Sequence, residues 1–117
     1  IDDVHGYDFA FGDNYPFDDE SHGTHVAGLI AGTQSGVAPG AKILPIKAIY
    51  PTGSATLSSV VSSILYATQM KVDIINMSLG GEGETSALVK SALEQARQAG
   101  ILVVVASGNS GKNVDVV

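Results

Sequence analysis

Ile101-Leu102-Val103-Val104-Val105-Ala106 is an unbroken aliphatic run, and Gly100 stands directly before it. Upstream, over Thr85 to Ala99, the apolar residues Leu88, Val89, Ala92, Leu93 and Ala96 recur at helical spacing and share one face. Gly100 supplies the helix stop. A helix that halts at a glycine and turns at once into a β-branched run is the second half of a βαβ unit. A run without polar alternation is expected where helices cover both faces of a sheet.

The same grammar recurs toward the N-terminus. Asp73 to Ser78, with Ile74-Ile75-Asn76-Met77 inside it, reads as a short strand. Before it, Leu57, Val60, Val61, Ile64 and Leu65 place a helix over about Ala55 to Met70. Lys42 to Ala48 is a further strand candidate, in which Pro45 removes a ladder donor and forecasts an edge or an irregularity. A helix is expected from His22 or Gly23 to Ala31, with Val26, Ala27, Leu29 and Ile30 on its apolar side and Gly32 ending it. Residues 1–21 read as loop, with a short strand around Tyr7–Phe11. Helix and strand alternate throughout. The chain is therefore expected to be α/β, a parallel sheet sandwiched between helices in three layers. In such sheets ligands bind beyond the carboxyl ends of the strands. Those ends are Thr52–Ala55, Ser78–Gly81 and Ser107–Gly111.

The 117 residues, 44% hydrophobic and 15% charged, suit one globular domain with a real core. The formal charge of −6 is concentrated: seven of the twelve acids (Asp2, Asp3, Asp8, Asp13, Asp18, Asp19 and Glu20) lie in residues 1–20, which hold no Lys or Arg. The remainder is near neutral, so nothing points to nucleic acid. The acidic segment is either a solvated loop or a source of oxygen ligands for Ca²⁺. There is no cysteine, which excludes disulfides and thiolate chemistry. No apolar run reaches the roughly 20 residues of a membrane helix. The N-terminus begins without Met and does not read as a signal peptide, so the chain is expected to be part of something longer.

Ser21-His22-Gly23-Thr24-His25-Val26-Ala27-Gly28 carries the chemistry. A histidine at a helix N-terminus is both exposed and rigidly held, and it titrates near neutral pH, as a general base must. Taken alone, such a histidine is more readily structural. A His22–His25 zinc pair fails the zincin pattern, because the spacing is i, i+3 and no Glu follows His22. Two further stretches stand in order behind it. They are Val72-Asp73-Ile74-Ile75-Asn76-Met77-Ser78-Leu79-Gly80-Gly81 and Val103-Val104-Val105-Ala106-Ser107-Gly108-Asn109-Ser110-Gly111. Together with Gly36-Val37-Ala38-Pro39, these segments resemble the subtilase family of serine proteases over residues 7 to 111.

The resemblance implies a partial subtilisin-like fold, with residues 1–117 a single incomplete domain from the centre of a peptidase catalytic domain. It implies His22 as general base, Asn109 as oxyanion donor and His25 as a packed structural residue. It makes Ser78, Leu79 and Gly80 one wall of the pocket for the residue before the scissile bond. Ala106, Ser107 and Gly108 are the other wall. Gly53, Ser54 and Ala55 are implied to pair with an extended peptide substrate. His5 is expected at the loop surface. Ser78 sits at a wall position without an elbow motif and is not the nucleophile.

The aspartate and serine motifs of the family are absent from these 117 residues. They are expected in N- and C-terminal parts of the same domain, without which the chain is inactive. Thr33-Gln34-Ser35 is shorter than the corresponding family segment and is expected to delete one calcium loop. Asp8 and Asp13 resemble ligands of a second structural calcium site, but Phe11 and Phe17 stand where further ligands would be. The parent is expected to be secreted or at the cell surface. A degenerate subtilase that only binds peptide is the alternative, and both His22 and Asn109 speak against it. A nucleotide-binding α/β domain fits the element order, but Gly80-Gly81-Glu82-Gly83-Glu84 is acidic and has no phosphate-binding lysine.

Overall fold

The computed structural model describes residues 1–2, 4–81, 85–109 and 111. Asp3 of the acidic segment, Glu82 to Glu84 of the glycine-rich loop and Ser110 of the third motif lie outside the described residues. The elements run β1 (Tyr7–Asp8), α1 (His22–Ala31), β2 (Ile46–Lys47), α2 (Leu57–Gln69), β3 (Ile74–Met77), α3 (Ala87–Gln98) and β4 (Leu102–Val105). The chain forms two compact units, Ile1–Ser63 and Ile64–Val117, with the division inside α2.

In the first unit β1 and β2 pair in parallel, with Tyr7 opposite Ile46 and Asp8 opposite Lys47. α1 is the crossover between them, so the unit is a small βαβ. The ladder extends past the named strands: Tyr7 N–H donates to the Pro45 carbonyl (3.2 Å) and Phe9 N–H to the Lys47 carbonyl (2.7 Å). The expected Lys42–Ala48 strand is thus realised only after Pro45. The proline contributes its carbonyl, the one ladder group it has.

Two devices fix the helices of this unit. The C-terminus of α1 is closed by chain that folds back on it: Gly36 N–H donates to Gly32 O (2.9 Å), Val37 N–H to Leu29 O (3.0 Å) and Ala38 N–H to Ile30 O (2.8 Å). At α2 a reciprocal capping box forms. Thr56 Oγ1 accepts from Ser59 N–H (3.0 Å), and Ser59 Oγ accepts from Thr56 N–H (3.2 Å). Ser59 is buried, and its hydroxyl also lies 2.8 Å from the Ala48 carbonyl, as donor, joining the helix start to the residue after β2.

In the second unit β3 and β4 pair in parallel in unbroken register from Ile74–Leu102 to Met77–Val105. α3 crosses over between them and packs on β4. Its buried Ala92 and Ala96, with Ile64, Ala67, Ile75 and Ile101, make the core. Ser86 caps α3 by accepting from Leu88 N–H, and Gly100, at φ 81, makes the left-handed turn that releases the chain into β4.

One face of the β3–β4 ladder is exposed in this chain. Ile74 and Leu102, neighbours across the ladder, are 57% and 60% exposed, and Val104 on the same face is 45% exposed. α3 covers one face, and the uniformly aliphatic sequence supplies apolar side chains to both. Among the described residues, no helix is long and apolar enough to cross a membrane.

Candidate active site

His22 is the first residue of α1 and is exposed. The residue before it, Ser21, is the right chemical type for an N-cap. Its backbone, however, is left-handed (φ 77) and its side chain caps nothing. Asp18 does the work instead. Its Oδ2 accepts from Thr24 N–H (2.7 Å) and from the Thr24 hydroxyl, while Oδ1 accepts from Glu20 N–H (3.1 Å) and Ser21 N–H (2.9 Å). One carboxylate thus satisfies a free N–H of the first helical turn and folds the approach to it, and its charge faces the positive end of the helix. The hydrogen bond from the Thr24 hydroxyl is the main reason the Asp18 carboxyl is lowered to about 2; the backbone donors add to it and partial burial opposes it. His22 N–H donates to Glu20 Oε2 at 3.3 Å.

Asp18, Glu20, Ser21, His22, Thr24 and His25 line an open depression of about 650 Å³. His25 is therefore exposed beside His22 rather than packed. The i, i+3 spacing that disqualifies a zinc pair puts both imidazoles on one side of the helix. His5 lies at the surface, as expected, with Nδ1 2.8 Å from Asp2 Oδ2.

Gly53, Ser54 and Ala55 form one arm of a small hairpin. Ala55 bridges to Ile49, Gly53 N–H donates to the Tyr50 carbonyl (2.9 Å) and Tyr50 N–H to the Ser54 carbonyl (2.8 Å). All three are exposed.

In the second unit, Ser78, Leu79 and Gly80 leave the end of β3, and Ala106, Ser107 and Gly108 leave the end of β4. The strands are adjacent and parallel, so the two segments emerge side by side. Ala106 N–H donates to the Met77 carbonyl (3.2 Å) and keeps them together for one more residue. Ser78 Oγ accepts from Asn76 Nδ2 (3.0 Å). Gly108 turns with φ 81, and the next residue, Asn109, is exposed.

Asp8 and Asp13, the candidate calcium ligands, are not arranged as one. Asp8 is buried, and its Oδ1 accepts from Ala10 N–H (2.7 Å) and Phe11 N–H (3.0 Å). Its Oδ2 faces the Lys47 ammonium at 3.5 Å. Asp13 Oδ1 accepts from Tyr15 N–H (2.8 Å), and Asp13 meets Asp8 through backbone, with Asp8 N–H donating to the Asp13 carbonyl (2.8 Å). Among the described residues, no three His, Asp or Glu side chains converge as metal ligands would. A site whose buried carboxylate already faces a protein cation does not fit a divalent ion.

The contributions of Asp18, Thr24 and Lys47 were not singled out by sequence. The signal available for Asp18 was its spacing: an Asp three residues before Ser21 can accept from N–H groups two and three positions on.

The Peptidase_S8 subtilase family profile matches residues 1–117. The chain is 45% identical over 115 residues to subtilisin DY of Bacillus licheniformis, covering 94% of this chain and 42% of that protein. It is 40% identical over 114 residues to subtilisin E of Bacillus subtilis strain 168, covering 92% and 30% respectively. It is 41% identical over 110 residues to the extracellular serine proteinase of Thermus sp. strain Rt41A, covering 92% and 26%. A cold-adapted subtilisin-like serine proteinase of solved structure superposes with a TM-score of 0.84 at 40% identity, over 90% of this chain and 38% of that one. The chain thus spans less than half the length of these relatives. The two parallel βαβ units, the histidine at the head of α1 and these likenesses agree: the chain belongs to the subtilase family of serine peptidases.

Proposed function

We propose that this chain supplies the general base, His22, and an oxyanion donor, Asn109, to a serine endopeptidase of the subtilisin type. The observation that carries the reading is the setting of His22. It is the first residue of a helix whose N-terminus is pinned from outside by Asp18, and it faces an open depression. A base held on a rigid element but left accessible can take the proton of a serine hydroxyl as the oxygen attacks a peptide carbonyl. It then returns that proton to the leaving amine. The Asn109 side-chain amide donates to the carbonyl oxygen as it becomes negative. The segments after β3 and β4 flank the substrate residue preceding the scissile bond, and the hairpin arm at Gly53–Ala55 presents backbone to an extended peptide. The triad aspartate and serine come from the remainder of a longer catalytic domain. On its own the chain forms no acyl-enzyme. Secretion or surface exposure of the parent follows the naming of one relative as extracellular.

A serine-directed fluorophosphonate tests this. It should label the full-length protein, fail to label the 117-residue chain, and label His22→Ala full-length protein far more slowly. Labelling of the isolated chain would overturn the division of roles. A full-length protein that binds peptide but resists labelling would be a peptide-binding relative instead.

A further inference from the structure

Two carboxylates of the acidic segment, Asp8 and Asp19, meet one cation in the fold. Lys47 Nζ lies 2.8 Å from Asp19 Oδ2 and 3.5 Å from Asp8 Oδ2, and 4.9 Å over the centroid of the Phe11 ring. Its side chain is 12% exposed and that of Asp8 only 2%. Asp8 and Lys47 are direct partners in the β1–β2 ladder, so the pair is set by strand register rather than by a flexible approach. Phe11, at a position where a metal site would need another oxygen, presents its face to the ammonium and packs in a T-shaped contact with Tyr50, 5.4 Å between centroids. Asp19 is adjacent to Asp18, whose carboxylate pins the start of α1. Lys47 therefore spans both ends of the 8–19 segment.

We infer that Lys47 is a built-in counter-ion that takes the place of a bound divalent cation in this segment and positions the N-terminus of α1 without metal. Two carboxylates and an aromatic face suit one ammonium. A calcium ion seeks six to eight oxygens, and entering here it would meet that ammonium at close range. The link to catalysis rests on the reading of His22 as the base, whereas the counter-ion role does not.

The test uses the full-length protein with Lys47→Met, Lys47→Arg, Asp8→Asn and Asp19→Asn. Calcium binding is followed by titration calorimetry, melting by circular dichroism, and cleavage within residues 9–20 by limited proteolysis. Wild type and Asp8→Asn should bind the same number of calcium ions. Lys47→Met should lower the melting temperature by about 5–10 °C and speed cleavage in the segment, with Lys47→Arg recovering most of both. Asp19→Asn should lower the melting temperature in wild type and leave it unchanged in a Lys47→Met background. If Lys47→Met does not accumulate, Asp19→Asn and Lys47→Arg still report the charge dependence. A calcium ion bound by wild type and lost in Asp8→Asn would overturn the inference, as would Lys47→Met melting within a degree of wild type. An absence of peptidase activity in wild type, with these melting differences intact, would remove the catalytic reading and leave the counter-ion in place.

Discussion

Asp18 holds Thr24 by both its backbone N–H and its hydroxyl, across six residues of chain and around the residue, His22, that begins the helix. Removing the carboxylate by Asp18→Ala should cost about 1 kcal/mol of stability, the usual worth of an N-terminal cap. Asp18→Asn should recover only part of this, because its amide nitrogen cannot accept from whichever donor pair it faces, the Thr24 N–H and hydroxyl or the Glu20 and Ser21 N–H groups. The measurement is the urea midpoint of each variant. A loss confined to Asp18→Ala, with Asn fully equivalent to Asp, would mean the charge plays no part.

The same carboxylate sets a pH window. Its folded value is lowered to about 2 from an ordinary 3.8, so the ionised form is favoured by folding. The stability it contributes is fully present above about pH 4 and is lost as pH falls toward 2. Asp2, lowered to about 2 chiefly by the hydrogen bond with His5, and Glu94, lowered to about 2 chiefly by Arg97, titrate in the same range. Melting temperature should therefore fall steeply from pH 4 to 2, and Asp18→Asn should flatten part of that slope while leaving the region above pH 5 parallel to wild type. An unchanged slope in Asp18→Asn would show that the other carboxylates account for the acid sensitivity.

The reciprocal pair at the head of α2 predicts a coupled loss. Thr56→Ala removes the acceptor for Ser59 N–H and should cost about 1 kcal/mol. Ser59→Ala should cost about 1–3 kcal/mol, because it strips both the Thr56 N–H and the buried Ala48 carbonyl of a partner. The double variant should lose less than the sum, since the two side chains serve one cap. Strict additivity in equilibrium unfolding would argue against a shared box.

How far the residues announce this architecture depends on where the information lies. The helices over Leu57–Gln69 and Ala87–Gln98 and the strand over Leu102–Val105 follow from periodicity and from Gly100, which are local signals. Strand β2 shrank to Ile46–Lys47 because Pro45 cannot donate, and that too was written locally. The exposure of His25, of Leu102 and of Val104 was not, because burial depends on what else covers a face. Nor was the pairing of Lys47 with Asp19, which are 28 residues apart and meet through a crossover. At Ser21 residue type and backbone disagree. Its residue type fits an N-cap, but its left-handed backbone hands the role to Asp18.

Gly36 is a position where size alone decides. A Cβ there would lie 2.4 Å from Gly32 N and 2.7 Å from Gly32 O, both backbone atoms that the returning chain needs. Gly36→Ala should destabilise by about 1–3 kcal/mol through overpacking against atoms that cannot rotate aside. Gly28→Ala on the same helix meets nothing within 4 Å and should be neutral or stabilising. Equal midpoints for the two variants in urea would refute the close approach.

Ser78 and Asn109 offer a test of the proposed roles in the full-length protein. Both follow strands of the β3–β4 ladder, and only one is assigned chemistry. On the proposed role of Asn109 as oxyanion donor, Asn109→Ala should lower kcat by about 10²–10³, the order of loss on removing one oxyanion-hole donor, with little change in KM, because such a donor is needed only when the carbonyl oxygen turns negative. Ser78→Ala removes an acceptor for Asn76 Nδ2 and leaves the backbone wall intact, so kcat should stay near wild type and any change should fall on KM. The two profiles are opposite in form. If Ser78→Ala abolished turnover while Asn109→Ala left it intact, the serine after β3 would be doing the chemistry and the assignment of both loops would have to be reversed.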